Sequence, residues 1–145
     1  MPGGASNKDR IHRHKSLATT HRKPMTPTQI AKLCLQLPGA QESVKWGNNR
    51  VFSIADNKMF ALLSFPAKGR ESLAFKVDND LFLAYTDRPG IRPAPYLARA
   101  RWVSMEAPFP LPDIELRAAL IRSHQLVVMR LARYRWAEFC VPGKD

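Results

Sequence analysis

The sequence predicts a single α+β domain, and three observations carry that prediction. Its 145 residues suit one hydrophobic core rather than two. Apolar residues fall at helical spacing near both ends of residues 25–138. Between those ends run short segments rich in β-formers and punctuated by turn residues. The expected layout is a disordered basic leader at 1–24, the domain at 25–138, and a tail at 139–145.

The leader has only Ile11 and Leu17 as large aliphatics, too little to offset the entropy of ordering it. It reads first as an upstream extension with Met25 the true start; its Arg, Ser and Thr content and scarcity of acid, which resemble an organellar transit peptide, give the alternative. Thr26-Pro27-Thr28-Gln29 has the spacing of a capping box with Pro at the first helical position. Ile30, Leu33, Cys34 and Leu37 then form one helical stripe, which Pro38-Gly39 ends.

An antiparallel meander follows. Val44 to Trp46 and Val51 to Ile54 flank the turn residues Gly47-Asn48-Asn49, and Asp56-Asn57 leads into a strand over Met59 to Ser64. Leu73, Phe75 and Val77 alternate with Ala74 and Lys76, the period of a strand with one buried face. Asp78 is placed to cap a short helix through Leu81, Phe82 and Tyr85. Pro93 and Pro95 restrict the next stretch to an edge, because neither can donate to a ladder. Arg101 to Met105 resumes strand character. After the prolines at 108, 110 and 112, a helix from Asp113 places Ile114, Arg117, Ala118 and Ile121 on one side. Leu126 to Trp136 is helical again, with a break or a bend at Ser123-His124 left open.

Several function classes are excluded or disfavoured. No run approaches a membrane span, no secretory signal is present, and two cysteines without ligand spacing speak for a reducing, cytoplasmic setting. Cys34, on the helical stripe, reads as a buried, inert thiol. His124 is the sole histidine of the folded part, and no nucleophile, zinc, P-loop or dinucleotide motif accompanies it, so no enzyme activity and no cofactor are expected. His12, His14 and His21 in the leader lack the spacing and rigid support of a metal site.

With the elements in order, the chain resembles the MmcQ/YjbR family. The resemblance rests on Leu37-Pro38-Gly39, Lys45-Trp46-Gly47, Lys58-Met59-Phe60-Ala61, and Leu73 to Lys76 ahead of Asp78. It continues through Pro89-Gly90-Ile91, Pro93 to Leu97, Arg101-Trp102-Val103 and Leu126-Val127-Val128. It implies a CyaY-like α+β fold and a role in DNA binding, without naming residues for that role.

Charge points the same way. The formal net charge is +11, and beyond residue 24 the basic residues still outnumber the acids by six, so the folded part favours polyanions. Arg88, Arg92, Arg99 and Arg101 interleave with Tyr96 and Trp102, a pattern in which guanidinium groups pair with phosphates and aromatic faces stack on bases. The competing reading packs both aromatics in the core and leaves an ordinary charged sheet edge. Lys45, Trp46 and Arg50 flank a Gly-Asn turn whose exposed amides suit an anion, or form a plain hairpin turn. Arg130, Arg133 and Arg135 on the last helix either track phosphates or complement the helix dipole. The resulting expectation is a DNA-binding protein acting mainly through phosphate contacts. The alternative is a protein- or peptide-interaction module using the sheet face or an edge strand.

Overall fold

Thr26 opens the first helix with a reciprocal cap: its hydroxyl accepts from the Gln29 amide at 3.2 Å, and the Gln29 side chain accepts from the Thr26 amide at 3.0 Å. Such a cap satisfies two otherwise orphaned donors and is worth about 1 kcal/mol. In this computed structural model, which describes residues 23–131, helix α1 runs Pro27–Gln36 and buries Ile30 and Cys34 completely. The expected leader, the tail and the segment after Leu131 lie outside the described residues, apart from Lys23 and Pro24.

Strands β1 (Gln41–Lys45), β2 (Asn49–Ile54), β3 (Lys58–Ser64) and β4 (Ser72–Lys76) form the expected antiparallel meander. A 3-10 turn at Asn79–Leu81 leads into the short helix α2 (Phe82–Thr86). Strand β5 (Ile91–Pro93) takes the edge, and β6 (Trp102–Glu106) inserts between β4 and β5. The sheet order is therefore β1-β2-β3-β4-β6-β5. Helix α3 (Asp113–Val128) closes the described fold.

One face of the sheet presents Phe52, Leu63, Leu73, Phe75, Val103 and Met105 to α1 and α3, and this is the main core. A smaller cluster of Ala74, Ala94 and Trp102, with Met59 and Leu62 against it, occupies the other face. Strand alternation explains the division, since Phe75 pairs with Val103 and Ala74 with Ser104 on opposite sides of the pleat.

Three local expectations are corrected, and one left open is decided. Asp78 makes no side-chain cap; its carboxylate takes Arg122 instead, at 2.8 Å. Trp46 and Arg101 are not strand residues but sit just outside β1 and β6 with φ of 49° and 63°. The helix passes unbroken through Ser123-His124 and ends at Val128. Its buried side is Leu116, Ala119, Leu120, Ser123, His124, Val127 and Val128, whereas Ile114 is 67% exposed.

The two polar members of that buried stripe have structural duties. Phe60 is an extra residue in β3, because Phe52 pairs with Ala61 and Ser53 with Met59. Ser123 Oγ donates to the Phe60 carbonyl at 2.6 Å and accepts from the Lys76 amide at 3.0 Å, satisfying backbone groups of β3 and β4. His124 Nε2 lies 2.8 Å from the Pro38 carbonyl, which requires the ring proton on that nitrogen, and its ring meets Phe60 edge-on.

Candidate functional site

The nine residues singled out by sequence are spread over the sheet, with Arg92 on β5 opposite Ser104 and Arg88 just before that strand. Lys45, Trp46 and Arg50 belong to the β1–β2 hairpin, and Arg50 pairs with Leu63 at the end of β3. Trp102 pairs with Lys76 at the other end, where β4 finishes and β6 begins. Four strand spacings separate β1 from β6, so Lys45 and Trp102 are also about 19 Å apart across the sheet. The nine do not form one surface.

Acids neutralise several of the candidates. Arg50 grips Glu42 through both carboxylate oxygens at 2.5 and 3.0 Å, which holds the Glu42 carboxyl below its usual range. The pair projects toward the helix side near Cys34, while strand alternation sends Lys45 to the opposite face. Arg88 forms a forked pair with Glu115 in the first turn of α3. Arg92 faces Glu106 at 3.8 Å. Trp102 is 4% exposed and anchors the smaller core, so it offers no stacking face for a base.

Tyr96, Arg99 and Arg101 have no acid partner among the described residues. They lie on a compact excursion between β5 and β6, closed by the bonds Ala94 N to Trp102 O at 3.0 Å and Trp102 N to Leu97 O at 3.2 Å. Tyr96 has φ of 65° and its side chain is fully exposed. Arg101 is exposed, its carbonyl accepts from the Val77 amide at 2.8 Å, and its guanidinium carbon stands 5.5 Å from the centre of the Phe82 ring.

Beside this excursion is a cleft of about 360 Å³ lined by Asn57, Lys58, Met59, Lys76, Ala100 and Trp102, with Val127, Arg130 and Leu131 from the end of α3. It forms because β3 begins, β4 ends, β6 begins and α3 ends at the same end of the sheet. Lys76 Nζ donates to the Ala100 carbonyl, which ties the ammonium to the wall. Burial lowers the Lys76 pKa, and the nearby charges of Arg130 and Arg101 lower it further.

Among the described residues, no ion pair with an acid engages Lys58, Lys76, Arg99, Arg101 or Arg130. The carbonyl end of α3 offsets part of the Arg130 charge. Lys76 and Arg130 also line an adjoining hollow that holds Asp78 and Asp80; Asp78 binds Arg122 directly, and both acids act on its charge. The cleft therefore sets a partly buried lysine beside like charges, an arrangement that an entering anion relieves.

Sequence reasoning passes over Lys58 and Lys76. Lys76 reads as the polar alternate of a strand and Lys58 as a hairpin residue; only strand order brings them to Arg101 and Arg130. Arg133 and Arg135, expected beside Arg130, lie outside the described residues, as do His12, His14, His21 and Cys140. The described residues contain no cluster of potential metal ligands and no helix long and apolar enough to cross a membrane.

A family model described as YjbR matches residues 35–126. Among solved structures, a Deinococcus radiodurans protein with a DUF419 domain aligns with TM-score 0.72 at 20% identity, covering 86% of this chain and 99% of its own. A Pseudomonas syringae protein aligns in its crystal form with TM-score 0.61 at 22% identity, covering 71% of this chain and 99% of that one. A solution structure from the same organism gives 0.54 at 26% identity, covering 75% and 96%. No curated protein matches significantly.

Proposed function

The chain belongs to the YjbR family, and from that premise together with the cationic cleft we propose that it binds DNA, chiefly through phosphates and without catalysis. One observation carries the reading. Lys58, Lys76, Arg101 and Arg130 gather at one end of the sheet without an ion-paired acid among the described residues, while Arg50, Arg88, Arg92, Arg117 and Arg122 are all paired. Exposed Arg99 extends the positive surface beyond the rim, and Tyr96 adds an accessible ring. Phosphate oxygens complement such a surface whatever the base sequence, so little base-specific reading is expected. Titrating labelled DNA at increasing salt tests it: affinity should drop steeply, because each neutralised phosphate releases counterions. Absence of binding at low salt would remove the proposal.

A second reading rests on β1. That strand pairs only with β2 among the described residues, and Val44 and Trp46 beside its outer edge are 64% and 66% exposed. An extended peptide adding to this edge would use main-chain bonds and the two apolar side chains. Loss of every lysate partner after nuclease treatment would reject it.

A further inference from the structure

The shape and lining of the cleft narrow the class of nucleic acid. Its rim is cationic, but half-buried Met59 and Ala100, backed by the buried Trp102 and Val127, give it an apolar floor. A site for bare phosphate needs no such floor. A duplex keeps its bases stacked inside a stiff rod and touches such a rim only from outside, whereas a single strand can turn one unstacked nucleotide inward. Asn57 contributes an amide that can donate and accept, suited to a sugar hydroxyl or a base edge. Tyr96 presents an uncovered ring on the neighbouring excursion.

We propose that the cleft receives one nucleotide of a single-stranded nucleic acid, its phosphate held by Lys58, Lys76 and Arg130 and its sugar and base laid against the Met59–Val127 floor. Tyr96 stacks on an adjacent base. The proposal rests on the nucleic-acid reading above and adds to it a preference for single strands. Lys76 is the preorganised member: one ammonium proton is committed to Ala100, so little side-chain freedom remains to be lost when phosphate arrives.

The test uses the full chain and fluorescence anisotropy with two probes of equal phosphate count, an oligothymidylate and a hairpin duplex. The expected result is tighter single-strand binding by about tenfold or more, from one or two base stacks. Lys76→Gln should weaken both probes but the oligothymidylate more, erasing most of that preference, and Tyr96→Ala should weaken chiefly the oligothymidylate. Thymidine monophosphate should compete for the wild-type site. Equal affinity for both probes, or a preference untouched by Lys76→Gln, overturns the single-strand proposal while phosphate binding stands. No binding of either probe overturns both. Circular dichroism and a thermal melt of each variant identify a loss caused by unfolding; if Lys76→Gln misfolds, Lys58→Gln on the same rim replaces it and must show the same selective loss.

Discussion

Tyr96 and Arg101 occupy left-handed backbone conformations, at φ of 65° and 63°, that cost a residue with a Cβ about 1 kcal/mol. Asn tolerates that region better, so Tyr96→Asn should raise the unfolding free energy by about 0.5–1 kcal/mol. Nucleic-acid affinity should fall in the same variant; a melt and a binding titration together read the exchange of function for stability. Ser123 makes the opposite prediction. Ser123→Ala leaves the Phe60 carbonyl and the Lys76 amide without their shared partner and should cost about 2 kcal/mol, read as a lower denaturant midpoint at unchanged slope. Burial keeps His124 neutral, lowering its pKa from the ordinary value near 6.5. The unfolded chain then binds more protons than the folded one in mild acid, so the stability His124 confers is complete above about 6.5 and is lost as pH falls toward its folded value. Urea titrations between neutral and mildly acidic pH should show this decline, and His124→Gln should flatten it.

Helix α1 and the strands follow closely from local chemistry. A capping box, a clean stripe and a Pro-Gly stop define α1, and turn residues separate β-rich runs, so each element could be read without knowing its neighbours. Helix α3 was harder, because apolar residues surround it: Ile114, Leu116, Ala118, Ala119, Leu120 and Ile121 fit more than one face. The stripe that is buried contains Ser123 and His124, and their partners, the Phe60 bulge and the Pro38 carbonyl, come from distant segments. Periodicity cannot foresee such partners. Cys34 follows its element: buried on the inner side of α1, its thiol is pushed up to about 12. In a Cys140→Ser background, a thiol reagent should therefore leave the native chain unmodified and react only on unfolding; prompt labelling would show that α1 opens readily.

Across the whole molecule, the fold redistributes a charge excess that the sequence displays only as a sum. Arg50, Arg88 and Arg92 meet Glu42, Glu115 and Glu106, and the hairpin candidates are carried to the far end and edge of the sheet. Tyr96, Arg99 and Arg101 were legible as candidates because they crowd one short segment. Lys58 and Lys76 were not, since pairing between β3, β4 and β6 creates their proximity to Arg130. The central claim is that this group, without an ion-paired acid among the described residues, would hold phosphate, rather than net charge alone. The most direct measurement is the salt dependence of oligothymidylate affinity in wild type, Lys76→Gln/Arg130→Gln, and Arg50→Gln as a paired control. The account predicts that the double variant loses about 0.7 from the log–log slope for each phosphate contact removed, while Arg50→Gln keeps the wild-type slope. Equal slopes in wild type and double variant, or an equal loss in Arg50→Gln, would contradict it.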